Sequence, residues 1–395
     1  MLNFEFCTPT RYVFGQDAES RAGELCKRFG ATRVLVHFGG KSALKSGLID
    51  RVGASLEEAG LPFILLGGVQ PNPRDALVRE GVRICREEGV DFILAVGGGS
   101  TIDSSKAIAM GTLYTGGDFW DLYEKKAPIT AALPLGVVLT IPAAGSEGSP
   151  NTVITKEDGM LKRGVGSDLL RARFALMNPV LTYTLPPYQT ASGCADILTH
   201  VFERYFTRTE DCDFSDRMCE AVMGTIVHNL PLALSNPEDY GARANIMWAG
   251  TWAHNGLVGI DRENDWASHQ IEHELSTLYD CAHGAGLAVV APAWMRYVLD
   301  VDAARFAQFA HRVFHVEMDF ANPRATALRG IDALESFYRA CGLPTRAWEI
   351  KGFRREDIPL LARKCKRNNG EYVGFFKPLE NDDILAIYEI ACRAL

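Results

Sequence analysis

Residues 266–284, WASHQIEHELSTLYDCAHG, hold three of the chain's nine histidines, His269, His273 and His283. His269-Gln270-Ile271-Glu272-His273 matches H-x-x-E-H, an inverted zinc-hydrolase pattern in which paired histidines bind metal and the glutamate acts as base. A spacing of four puts both histidines on one helix face. His283 lies fourteen residues beyond His269, about 21 Å along a straight helix. It can share an ion only if the helix stops and the chain turns back. Gly284 and Gly286 predict that stop, because glycine weakens helix continuation. A second pair, Asp196 and His200, is also four apart, in CADILTHVFERYF. One carboxylate with two or three imidazoles is a donor set for Zn(II) or Fe(II), and Mn, Co or Ni would also fit. Spacing leaves open whether His269 or His273 faces the ion. The Asp196–His200 pair alone reads first as an exposed polar helix stripe.

A different chemistry attaches to two glycine turns. The apolar run DFILAV ends in Gly97-Gly98-Gly99-Ser100 and enters the helix-like TIDSSKAIAM. Glycines allow close backbone approach, and a helix N-terminus presents free N–H groups to phosphate. The loop is not G-x-G-x-x-G; its weight comes from its place at the carboxyl end of a parallel strand. Gly39-Gly40-Lys41-Ser42 follows the first apolar run, with Lys45 next and no acid before Asp50. An acid here suits ribose hydroxyls, whereas basic and hydroxyl groups suit a 2′-phosphate. The turn therefore predicts NADP(H) in preference to NAD(H).

The elements that must position these residues fall into two halves. RVLVHFGG, PFILLGGV, DFILAVGGGS and PLGVVLTIPA are short buried strands, separated by helix-like KSGLIDRVGASLEEAG and PRDALVREGVRICREEG. That alternation predicts βαβ units and a parallel sheet. Beyond LTYTLPPYQTASG, helical periodicity takes over through the terminal DDILAIYEIACRAL. The expected fold is an α/β dinucleotide-binding domain over 1–185, then an all-helical metal-binding domain over 186–395. At 395 residues the chain exceeds one ordinary core. Its net charge of -8 gives no electrostatic case for nucleic acid or an anionic membrane. No run of about 18 apolar residues predicts a membrane span. The first residues, MLNFEFCTPTRYVFG, lack a basic, then apolar, leader pattern. Ten cysteines without a C-x-x-C pair read as buried thiols in a reducing compartment, so a cytoplasmic protein is expected. Cys281, two residues before His283, reads first as a packing residue.

These blocks, in order, are those of a known family. PNPRD, AVGGGSTIDSSKAIA, TIPAAGSEGSPNTVIT, NPVLTYTLPPYQTASGCADILTHVFERYF and DWASHQIEHELSTLYDCAHGAGLAV span most of the chain. It resembles the iron-containing (group III) metal-dependent alcohol dehydrogenases, particularly their butanol-dehydrogenase-like, NADPH-dependent aldehyde reductase branch. The resemblance implies a dehydroquinate-synthase-like fold and metal ligands Asp196, His200, His269 and His283, with His273 near the nicotinamide. It implies cofactor contacts at Gly39, Gly40, Ser42, Asn72, Gly97, Gly98, Gly99, Ser100, Asp103, Thr140 and Lys162, and a homodimer. Two positions depart from the family pattern. Ala144 stands where a threonine is usual, and Lys41 is bulkier than the usual glycine.

The expected activity is reversible hydride transfer between NADP(H) and small aliphatic alcohols or aldehydes. One divalent ion, Fe(II) or Zn(II), would act as Lewis acid. His273, with an ordinary histidine pKa of about 6.5, is the candidate proton donor. A glycerol- or polyol-type dehydrogenase of the same fold is the nearest alternative; the tryptophans at 248, 252, 266 and 294 favour an apolar substrate instead. A zinc protease would account for H-x-x-E-H but leave the glycine turns, Asp196 and His200 unexplained.

Overall fold

The computed structural model describes residues 1–365 and 371–393. It divides into two compact units, Cys7–Thr184 and Leu185–Leu395, the second including Met1–Phe6. The opening six residues thus depart from the expected 1–185 domain. The Leu2 amide donates to the Asp261 carbonyl at 2.8 Å, and the terminal ammonium donates to the Glu210 carbonyl at 2.5 Å.

In the first unit, β1 (Arg11–Phe14), β2 (Val34–Phe38), β3 (Phe63–Leu66), β4 (Phe92–Gly97) and β5 (Leu135–Leu139) lie in one parallel sheet with β8 (Phe174–Met177). The order is β1-β8-β5-β4-β2-β3, and β6 (Asn151–Lys156) pairs antiparallel with β7 (Leu161–Gly166). β2, β4, β5 and β8 are buried along their whole length, as a sheet covered on both faces requires. Covering helices include α1 (Ala22–Arg28), α2 (Lys41–Lys45), α3 (Leu48–Glu58), α4 (Asp75–Glu88), α5 (Gly99–Leu113) and the single turn α6 (Trp120–Tyr123). Sequence patterning does not reveal β1 and β8, which, unlike the equally short β3, are not closed by a run of two or more glycines.

The chain leaves β2 toward β3, on one side, and leaves β4 toward β5, on the other. Between β2 and β4 the winding reverses, which is where open α/β sheets bind ligands. Both glycine turns follow these two adjacent strands.

The second unit contains α7 (Pro187–Tyr205), α8 (Asp213–Ser235), α9 (Tyr240–His254), α10 (Ala267–Tyr279), α11 (His283–Val298), α12 (Ala303–Phe314), α13 (Pro323–Ala340), α14 (Ile358–Lys364) and α15 (Asn381–Ala391). Pro187 opens α7 at its first position, where its missing N–H costs no hydrogen bond. Helical periodicity predicts a terminal helix to 395, of which 394–395 lie outside the described residues. Among the described residues, no helix is long and apolar enough to cross a membrane.

The chain stops between α10 and α11 as expected, but not at the glycines. Asp280 takes a left-handed φ of 49°, and Gly284 and Gly286 sit in the first turn of α11. Their role is close packing. A Cβ on Gly284 would fall 1.8 Å from the Ser192 carbonyl oxygen on α7. The tryptophans also separate. Trp294 belongs to the apolar core, its ring 5.9 Å from that of Phe206, and Trp248 and Trp252 contact each other edge to face.

Candidate active site

Asp196 and His200 lie one turn apart on α7, His269 stands in the first turn of α10, and His283 is the first residue of α11. Their side chains converge. Asp196 Oδ1 lies 3.3 Å from His200 Nε2, 3.7 Å from His269 Nε2 and 3.9 Å from His283 Nε2. Asp196, His200 and His269 are buried, and neither Asp196 Oδ1 nor His269 Nε2 has a hydrogen-bond partner. Buried polar atoms left without partners carry a desolvation cost that a bound cation would remove. Three imidazole nitrogens around one carboxylate oxygen suit Fe(II) or Zn(II).

The ring electrostatics fit that vacancy of partners. Burial, then the neighbouring His254 and His269, hold the His200 imidazole well below the ordinary histidine range. Burial also opposes a charge on His269, but its contacts with Asp196 and Glu203 carry its pKa up to about 9.

His273 is buried one turn beyond His269, its ring centroid 5.5 Å from that of His283. Glu272, the glutamate of H-x-x-E-H, is fully buried, and its Oε2 contacts His283 Nδ1. That carboxylate is therefore not poised over a water as a hydrolytic base would be.

Sequence reasoning missed several neighbours. Glu203 follows Asp196 by seven residues on the same face of α7, and its Oε1 accepts from His269 Nδ1 at 2.7 Å. The His254 ring stacks on His200 at 4.1 Å, with its Nδ1 accepting from the Arg204 guanidinium at 2.6 Å. Trp266 precedes α10 at a left-handed φ of 66°. A bulky residue there carries backbone strain of about 1–3 kcal/mol. It is retained by ring contacts at 5.8 Å to His200 and 5.4 Å to His269, and by Arg204 4.6 Å over its face. The signal that could have found Glu203 was the i, i+4, i+7 stripe. Arg204 lies one turn beyond His200 on α7, while His254 leaves no spacing signature, and Trp266 reads in sequence only as part of an apolar lining. Cys281 is half-buried against the helical core, a packing position.

In the α/β unit, Gly97 ends β4, Gly98 caps α5 without a side-chain hydrogen bond, and Gly99 and Ser100 begin the helix. A Cβ on Gly97 would meet Thr101 at 2.4 Å, and one on Gly98 would meet Ile141 at 2.8 Å. Gly39 and Gly40 follow β2, and Ser42 lies in α2. A Cβ on Gly39 would lie 3.7 Å from Thr101 Oγ1, so the two glycine turns share a neighbour. The Thr140 amide, just after β5, donates to the Gly97 carbonyl at 3.1 Å. Asn72, at a left-handed φ of 54°, accepts at Oδ1 from Lys162 Nζ at 2.9 Å, joining the β6–β7 hairpin to the segment before α4.

Asp103 is the exception. One carboxylate oxygen accepts from Ser146 Oγ and the other from the Val153 amide at 2.9 Å, which ties α5 to the 146–153 segment. Lys106, one turn on, donates to the carbonyls of Ser146, Ser149 and Asn151 at 2.7–2.8 Å. These contacts make Asp103 an anchor of the loop after β5. Ala144 in that loop lies 3.4 Å from a Cβ built on Gly99, so the missing threonine hydroxyl would have stood beside the glycine turn. The Lys41 side chain lies outside what the structure describes.

Comparison with known proteins agrees with both units. Residues 9–179 match the family described as iron-containing alcohol dehydrogenase, and residues 190–392 match the C-terminal domain of the same family. The chain is 41% identical over 387 residues to a probable NADH-dependent butanol dehydrogenase 1 of Bacillus subtilis, covering 98% of this chain and 99% of the relative. It is 36% identical over 393 residues to the NADPH-dependent aldehyde reductase YqhD of Escherichia coli, covering 99% and 100%. The crystal structure of an NADH-dependent butanol dehydrogenase A from Thermotoga maritima superposes with a TM-score of 0.95 at 38% identity, covering 100% and 99% of the two chains. With its parallel sheet, its helical unit and matches over both halves, the chain belongs to the iron-containing alcohol dehydrogenase family.

Proposed function

We propose that the protein catalyses reversible hydride transfer between NADP(H) and a small aliphatic alcohol or aldehyde, with one divalent ion held by Asp196, His200, His269 and His283. The observation that carries this reading is the convergence of three imidazole Nε2 atoms within 3.9 Å of one buried carboxylate oxygen that lacks a hydrogen-bond partner. When bound, the ion supplies Lewis acidity at the substrate oxygen and the nicotinamide supplies the hydride. The chain's own residues do the remaining work. α7, α10 and α11 hold the four side chains around one point. His273, beside His283, delivers a proton toward the substrate oxygen in reduction and removes one in oxidation. Gly39, Gly40, Ser42 and Gly97–Ser100 at the carboxyl ends of β2 and β4 receive the dinucleotide, with Thr140 alongside and Asn72 with Lys162 as a second polar pair.

The coenzyme preference rests on this chain's own turn. Relatives of similar identity carry either NADH or NADPH in their names. Here α2 begins directly after Gly40 with no acidic residue in its first turn, which favours a 2′-phosphate. None of the ten cysteines is paired in a disulfide, in keeping with a cytoplasmic enzyme; a homodimer is part of the same proposal.

The test is NADPH oxidation with butanal after stripping with EDTA and after adding back Fe(II) or Zn(II). Activity should vanish and return with metal, and the better ion identifies the native one. No oxidation with either ion or either coenzyme would overturn the reading. Equal kcat/KM with NADH and NADPH would remove only the coenzyme preference.

A further inference from the structure

The H-x-x-E-H glutamate has no role in the hydride-transfer reading, and neither has Glu203. Both are among the most buried carboxylates of the helical unit, at 0% and 1% exposure. A buried carboxylate without compensating contacts is strongly unfavourable, so each needs a reason to be there. The reason has one form in both places. Glu203, on α7 with Asp196 and His200, accepts from Nδ1 of His269 on α10 at 2.7 Å. Glu272, on α10 with His269, contacts Nδ1 of His283 on α11. In each pair the other ring nitrogen, Nε2, points toward Asp196 Oδ1.

We propose that Glu203 and Glu272 are positioning residues that act as a relay, in which each helix supplies the carboxylate that orients the ligand histidine of the next. Accepting the Nδ1 proton fixes the tautomer, leaves the Nε2 lone pair free for an ion and locks the ring plane. The pattern is written along the chain as Asp196-x3-His200-x2-Glu203, then His269-x2-Glu272, then His283. His200 stands outside the relay. Its Nδ1 has no partner, and its ring is held instead by stacking on His254.

The glycines of α11 belong to the same device. A Cβ on Gly286 would lie 2.5 Å from Glu272 Oε1 and 2.8 Å from its Cγ. A side chain there would force the Glu272 carboxylate to shift. Glu203 has a second task, since its Oε1 also accepts from the His269 backbone amide at 3.0 Å in the first turn of α10. Glu272 is therefore the cleaner position to perturb.

The inference rests on the metal reading above, so the experiment separates the two. Co(II) is titrated into the metal-free full-length protein, following affinity and the visible absorption of the bound ion, for the native protein, Glu272→Gln and Gly286→Ala. The native protein should bind one equivalent. Glu272→Gln should bind about 10- to 100-fold more weakly, the usual effect of removing such a partner, with an altered absorption spectrum. Gly286→Ala should shift both readouts in the same direction with every carboxylate still in place. A merely structural role would lower the melting temperature while leaving the spectrum of the bound ion unchanged. If the native protein takes up no Co(II), the metal reading falls and the relay with it. If the native protein binds one ion and both variants match it in affinity and spectrum, the relay alone is refuted. A second equivalent, bound by the native protein and lost in Glu272→Gln, would make Glu272 a ligand and refute the positioning role.

Discussion

Replacing Gly284 by alanine adds one methyl group and removes no charge, donor or proposed ligand, yet it should empty the proposed metal site. The new Cβ would fall 1.8 Å from the Ser192 carbonyl oxygen, and both atoms belong to helix backbone. Ordinary contact begins near 3.4 Å. The start of α11 must therefore move from α7 by about 1.5 Å, since packed interiors yield little locally. His283 is the neighbouring residue, and metal–ligand distances tolerate only about 0.2 Å. The ligand would leave the coordination sphere. Overpacking of this kind costs about 1–3 kcal/mol of stability, small enough for the variant to fold. The assay compares metal content after dialysis, kcat with butanal and melting temperature for Gly284→Ala and for Gly224→Ala on α8. At Gly224 an added Cβ meets nothing within 4 Å, so that control should be neutral or stabilised by about 0.5–1 kcal/mol. Gly284→Ala should lose bound metal and at least about 100-fold in kcat, in line with a displacement near 1 Å. Native metal content and native kcat in Gly284→Ala would refute the argument that α7–α11 spacing sets the ligand geometry.

Three further outcomes follow from other parts of the molecule. His37 is fully buried between the Leu66 carbonyl, at 2.8 Å from Nδ1, and Ser104 Oγ, at 2.9 Å from Nε2. Burial pushes its pKa down to about 4. Between about pH 6.5 and 4 the unfolded chain takes up a proton that the folded ring refuses. Stability fully present above pH 6.5 should therefore fall with pH, by up to about 3 kcal/mol. Denaturant titrations of the native protein and His37→Gln should differ in slope across that window, and parallel curves would count against it. Asp103→Asn should weaken the tie to Ser146 and Val153, lowering stability by about 1–3 kcal/mol. A change confined to coenzyme KM, with stability intact, would instead make Asp103 a direct contact. Ala144→Thr should restore a hydroxyl beside Gly99 and lower the coenzyme KM several-fold, the scale of one added hydrogen bond of about 0.5–1.5 kcal/mol. An unchanged KM would show that the hydroxyl does not reach the coenzyme.

Much of the fold is legible in the chain because its signals are local. The β-branched runs at 34–38, 92–97 and 135–139 are long and apolar enough to declare buried strands. The helical half shows in periodicity alone. What failed to show was either short or dependent on distant partners. β1 and β8 have four residues each, and the β6–β7 hairpin is only partly buried. Met1 and Leu2 at the N-terminus bond to the carbonyls of Glu210 and Asp261, more than two hundred positions away, and no local pattern announces that.

The candidate site divides in the same way. Residue types and helical spacing determined that Asp196 and His200 share one face and that His283 requires a chain reversal, because both follow from rise per residue. Sequence spacing could not choose between His269 and His273, which the helix presents one turn apart. In the tertiary structure His269 Nε2 lies 3.7 Å from Asp196 Oδ1 with Glu203 on its other nitrogen, which is the ground for proposing His269 as the ligand. The tertiary structure also decided what the glycines of α11 are for. By composition they are helix breakers, but against the Ser192 carbonyl and the Glu272 carboxylate they are the room that lets three helices close around one point. That meaning exists only once the neighbouring helices are in place, since a steric vacancy is a property of packing and not of any one segment.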